Sequence, residues 1–117
     1  MRFNHKLYRI KAVPIFFFAY EARPLPRSED FGQCGGAYIN CWVKAESEID
    51  AMQIAGKYIK ENKWEIVAVE KESRMITDES YVEDPSGLEY YQQAILDGEC
   101  YVYHRWPNEL QAEDVVH

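Results

Sequence analysis

Residues 37–44 alternate without a break. Ala37, Ile39, Cys41 and Val43 fall on one side, and Tyr38, Asn40, Trp42 and Lys44 on the other. A period of two is the signature of a strand whose two faces meet different surroundings. The period then switches. Ser47-Glu48-Ile49-Asp50 resembles a capping box with Asp in place of the usual Glu or Gln. The helix it opens is predicted to run to about Asn62, with Ala51, Met52, Ala55, Tyr58 and Ile59 inward. Glu48, Gln53, Lys57, Lys60 and Glu61 fall opposite. Gly56 costs about 1 kcal/mol relative to Ala in a helix interior, which predicts a close backbone approach there. Trp64 to Lys71 follows, centred on the apolar run Ile66-Val67-Ala68-Val69. Such a run suggests a central strand covered on both faces. The chain must therefore be arranged around a strand–helix–strand unit.

Downstream, Arg74 to Thr77 could return as a short antiparallel strand, and Asp84-Pro85-Ser86-Gly87 is turn chemistry. Leu88 to Asp97 reads as a second helix with Leu88, Tyr91, Ala94 and Ile95 inward and Gly98 at its C′ position. Glu99 to Trp106 is the last strand, stopped by Pro107. From Ala37 onward this is the order of an α+β, ferredoxin-like βαββαβ core (37–106). It places two helices on one face of a mostly antiparallel sheet. Residues 7–22 add an N-terminal strand, at an edge or bulged at Pro14, which cannot donate to a ladder. Pro14, Glu21 and Arg23 break any leader-like apolar run there. Residues 24–36, with two prolines and three glycines, read as a loop, and 107–117 as an acidic tail. The 117 residues suit one domain able to bury a core without staples. No apolar stretch reaches the length of a membrane-spanning helix.

Charge is unevenly placed. Residues 1–27 carry six basic side chains against Glu21 alone, yet the whole chain has a net charge of −7. A basic first segment lying against an acidic body accounts for this, and that body disfavours nucleic acid as a partner. Three cysteines, an odd number without tight spacing, fit a reducing cytoplasm better than a disulfide framework.

The motifs that invite chemistry mostly fail on spacing. Cys100 and His104 are separated by roughly 13 Å along a strand, whereas zinc ligands converge at about 2.0–2.3 Å from one ion. No metal and no cofactor is expected. Gly32-Gln33-Cys34-Gly35-Gly36 opens a strand rather than a helix and lacks the Lys and Ser or Thr of a phosphate cradle. Cys34, Gly35 and Gly36 remain candidates for contact with a ligand. His104, on one strand face with Cys100, Val102 and Trp106, is the candidate for proton transfer. Glu79, Glu83 and Asp84 lack the spacing of a calcium loop.

If Cys100 and Val102 face the helices, Tyr101, Tyr103 and Arg105 join Tyr38 and Trp42 on the opposite sheet face. That is too much apolar area to leave open, so the N-terminal Phe-rich segment, another protomer or a ligand should cover it. The aromatic- and glycine-rich strand signature of RNA-recognition domains is absent. The expected function is a cytoplasmic protein-interaction module without catalysis. It would self-associate as a homo-oligomer or bind a partner protein, as inhibitors and immunity-type proteins do, through Tyr38, Trp42, Tyr101, Tyr103 and Arg105. The alternative is a small-molecule enzyme or ligand-binding domain with a pocket between the sheet and loop 24–36.

Overall fold

The computed structural model describes residues 12–108. The elements are β1 (Ile15–Pro24), β2 (Cys34–Lys44), α1 (Glu48–Glu61), β3 (Trp64–Ile76), a 3₁₀ turn (Asp78–Tyr81), α2 (Leu88–Asp97) and β4 (Glu99–Pro107). The expected N-terminal strand begins at Ile15; residues 7–11 lie outside the described residues, as do residues 109–117 of the expected tail. The chain is α+β, with one four-stranded antiparallel sheet in the order β3-β1-β2-β4.

That order departs from the βαββαβ expectation. The N-terminal strand is not an addition at the margin: it pairs with β2 and β3 and lies between them. The segment Arg74 to Thr77 does not return as a separate strand, because β3 continues unbroken to Ile76. The helices also do not share a face. Phe16, Phe18, Tyr20, Ile39, Cys41 and Val43 pack with Ala51, Ala55 and Ile59 of α1. Ile15, Phe17 and Trp42 pack with Tyr91 and Ala94 of α2 on the opposite side. Both faces of β1 carry aromatic side chains, so each face needs its own cover.

The ends of the helices form as the sequence implies. Ser47 Oγ accepts from the Asp50 amide at 3.1 Å, which satisfies an otherwise orphaned donor. Gly98 closes α2 in the left-handed region (φ 93°), its N–H donating to Ala94 O at 2.8 Å. Gly56 differs from expectation: an added Cβ would meet nothing within 4 Å.

β3 is the largest surprise. It is an edge strand, with Val67 47%, Val69 56% and Met75 62% exposed. Its pairing with β1 contains three register shifts. Each leaves an extra β3 residue, bending the strand and increasing its twist. Bulges and the charged side chains of Glu70, Lys71, Glu72 and Arg74 are devices that keep an open edge from pairing indiscriminately.

Candidate functional site

Cross-strand register decides which side chains can act together. Trp42 pairs with Cys100 and Tyr38 with His104, so these four share the α2 face. Cys41 pairs with Tyr101 and Ile39 with Tyr103, which sends both tyrosines to the α1 face. The five expected interface residues therefore do not form one patch. Trp42 is only 4% exposed, packed against Phe17 and Tyr90 with ring centroids 5.0 and 5.2 Å away. Its Nε1–H donates to the Tyr81 hydroxyl at 2.9 Å. Tyr101 lies stacked on Tyr58 at 3.9 Å, and Tyr103 meets the Trp64 ring edge-on at 5.4 Å. Burial, reinforced by the Glu99 carboxylate, pushes the Tyr101 phenol well above its ordinary range, and burial does the same to Tyr103. Tyr38 and Arg105 remain exposed, on opposite faces of the sheet.

Gly35 and Gly36 have a packing role. A Cβ on Gly36 would come within 2.4 Å of the Trp106 ring and 2.8 Å of Ala22 O; one on Gly35 would meet Trp106 and the Pro107 carbonyl at 2.9 Å. The glycines clear ground for Trp106, whose ring in turn packs tilted against Tyr38 at 4.9 Å. Cys34 is buried beside them, its Sγ directed at Asp30 O at 3.9 Å. Burial first, then the Asp30 carboxylate, raises its thiol pKa, which makes it a poor nucleophile near neutrality.

The connection between β1 and β2 is built from successive turns: Ser28, Phe31 and Gln33 amides donate to Leu25, Ser28 and Asp30 carbonyls at 2.9–3.1 Å. It frames a cavity of about 430 Å³ with Asp30, Tyr58, Trp64, Tyr103 and Arg105 in its walls. Its guanidinium is already engaged. Arg105 pairs with Asp30 at 3.6 Å and lies over the rings of Tyr103 and Trp64 at 5.4 and 5.9 Å.

A second cavity, of about 380 Å³, lies on the α2 face, where α2 and the 3₁₀ turn leave part of the sheet uncovered. Phe17 and Trp42 form its floor, Tyr81, Gly87 and Tyr90 one wall, and Lys71 and Arg74 of β3 the opposite wall; Asn40 and His104 line it too. Lys71 Nζ stands 5.9 Å and Arg74 Cζ 5.6 Å from the centroid of the Phe17 ring. Among the described residues, no carboxylate lies within ion-pair distance of either cation. Asp84 also lines the cavity, with Oδ1 accepting from the Ser86 amide at 3.0 Å. His104, the expected proton-transfer residue, stands at the margin of this cavity. Asn40 Nδ2 donates to His104 Nε2 at 3.3 Å.

Sequence reasoning reached Trp42 and His104 and set Asn40 on the face of Trp42 without a role of its own, but passed over Lys71 and Arg74. The available signal was the two basic residues three apart in a glutamate-rich stretch; without the bulges their common face is invisible. No group of three or more His, Cys, Asp or Glu among the described residues is arranged to hold a metal. No helix among them is long and apolar enough to cross a membrane. Comparison with protein-family models, with characterised proteins and with solved structures returned no match to this chain.

Proposed function

We propose that the chain is a binding module that holds a small anionic ligand in the cavity between β3 and the start of α2. One observation carries this reading. Among the described residues, Lys71 and Arg74 stand over one aromatic ring with no carboxylate within ion-pair distance, and Asp84, which lines the same cavity, accepts from the Ser86 amide. Two neighbouring cations repel, and an anion between them relieves that repulsion while its field is concentrated by the low-dielectric floor. Arg supplies a planar fork and Lys a point charge, a combination suited to carboxylate or phosphate. Binding rather than catalysis is supported by the three cysteines, whose thiols are each raised chiefly by burial. Cys34 and Cys41 belong to the α1 face and Cys100 to the other, which suits a reducing, cytoplasmic setting.

The test is a titration with inorganic phosphate and with benzoate at low ionic strength, followed by nuclear magnetic resonance. Saturable shifts should centre on Lys71, Arg74 and the residues opening α2, and the Lys71→Gln/Arg74→Gln double variant should lose them. An unchanged response in that variant, or none in the wild type, sinks the proposal.

A protein partner or a second copy is the other reading. It is favoured by the apolar side chains that β3 leaves outside the core, Val67, Val69 and Met75. Sedimentation of the wild type beside Val69→Asp decides it: a larger species present only in the wild type supports association, and two identical monomers reject self-association.

A further inference from the structure

We infer that the ligand of this cavity is an adenine mononucleotide, its phosphate between Lys71 and Arg74 and its base edge on Asn40. The inference rests on the anion-binding reading above and adds a reading of the rest of the cavity. Lys71, Ala19 and Asn40 are direct partners across three adjacent strands, so they form one row on the α2 face. Strand spacing sets Lys71 and Asn40 about 10 Å apart at their Cα atoms. Ala19 between them is fully buried, and Lys71 and Asn40 on either side of it both line the cavity, a cation on one flank and an amide on the other.

The amide is oriented. Its nitrogen, a donor only, lies 3.3 Å from His104 Nε2, a contact that sets which way the amide is turned. Among the described residues, its second N–H and its carbonyl oxygen have no partner. A side-chain amide offering one donor and one acceptor in a plane is the partner of adenine N7 and N6, a pairing guanine cannot satisfy because it presents two acceptors there. Aromatic surface is at hand for the base: Tyr90 and Tyr81 on the cavity wall, and the Tyr38–Trp106 pair on the same sheet face. Base–aromatic stacking is a sequence-tolerant source of affinity, while the amide supplies the choice between bases. A free phosphate would use only the cations and leave the aromatic wall and the amide without a role. A polynucleotide would meet the glutamates of β3 and the overall negative charge.

The experiment is calorimetric titration at low salt with adenosine 5′-monophosphate, guanosine 5′-monophosphate, adenosine and inorganic phosphate. The adenine nucleotide should bind about tenfold or more tighter than each of the other three. Asn40→Ala should bring the adenine-to-guanine ratio to about one while leaving the affinity for inorganic phosphate unchanged. If phosphate binds as tightly as the nucleotide, or the ratio survives Asn40→Ala, the inference is overturned and the anion site stands. If none of the four binds, the inference fails, and if benzoate does not bind either, the anion site fails with it. Circular dichroism monitors the fold of the variant, and the ratio measured on the wild type decides the question if Asn40→Ala does not fold.

Discussion

Trp42 is held from three directions: Phe17 beside it on β1, Tyr90 on α2, and the Tyr81 hydroxyl at its indole nitrogen. Truncating a buried aromatic of this size costs about 3–5 kcal/mol, from lost burial and the cavity left behind. Trp42→Ala should therefore lower the urea midpoint sharply, whereas Trp42→Phe keeps an aromatic ring and loses the hydrogen bond, at about 1 kcal/mol plus a packing adjustment. Equal effects of the two would show that the indole bond to Tyr81 dominates. The cysteines give a second residue-scale test. Cys41 is fully buried, and burial lifts its thiol far above the ordinary value of 9.0; Cys34 and Cys100 move in the same direction. The folded chain should thus resist alkylation at neutral pH, with Cys41 the slowest by mass spectrometry. A thiol whose pKa is raised by folding favours the folded state while protonated, and that contribution is lost as pH climbs past the unfolded value. Stability should fall above about pH 9, and fast labelling of Cys41 at pH 7 would contradict the packing described.

At the scale of elements, how far the sequence can be read depends on whether a signal is local. The alternation of β2 and the Ser47 N-cap of α1 are contained within a few residues and appear as written, whereas Asp50 does not return the bond that would complete a capping box. The side chains of β4 alternate just as legibly, but which of its two faces meets which helix depends on pairing with β2. Trp42↔Cys100 fixes that pairing, and no residue within β4 reveals it. The error about the aromatic face came from assuming that both helices lie on one side; a two-sided sheet reassigns Tyr101 and Tyr103 to the interior of the α1 layer. β3 misled for a related reason. Its Val-rich centre reads as a covered strand, yet three bulges let it run longer than its partner and leave Val67 and Val69 outside. Gly56 supplies the prediction at this scale. It sits within α1 with open space where a Cβ would go. Gly56→Ala should stabilise the protein by about 0.5–1 kcal/mol through helix propensity and reduced unfolded-state entropy. A loss of stability on thermal unfolding would mean that a close neighbour does occupy that side of the helix.

Taken whole, the molecule has two aromatic-rich cores separated by the thickness of a single sheet, and β1 and β2 contribute to both. The first core holds Trp64, Ile59 and Phe18; the second holds Trp42, Phe17 and Tyr91. Neither core can be dismantled while the other stays intact, because successive residues of β1 (Phe16, Phe17 and Phe18) alternate between them. Unfolding should consequently be a single cooperative transition, with coincident midpoints from tryptophan fluorescence and far-ultraviolet circular dichroism. Ile59→Ala in one core and Tyr91→Ala in the other should each lower that common midpoint, by about 2–5 kcal/mol. The sheet separates the two sites, so their effects should add to within about 0.5 kcal/mol in the double variant. A biphasic curve in either single variant, with one spectroscopic probe moving before the other, would show that the layers unfold separately. The shared strands would then act as a hinge between two units and not as a common spine. The ligand cavity tests the same point from outside, since it is walled by β3 on one side and α2 on the other. A ligand that binds only when both walls are in place stabilises by about 2.7 kcal/mol at a concentration of a hundred times its Kd. In a cooperative fold that stabilisation reaches Trp64 on the far side of the sheet, and its fluorescence transition should shift to the same extent as the change in circular dichroism.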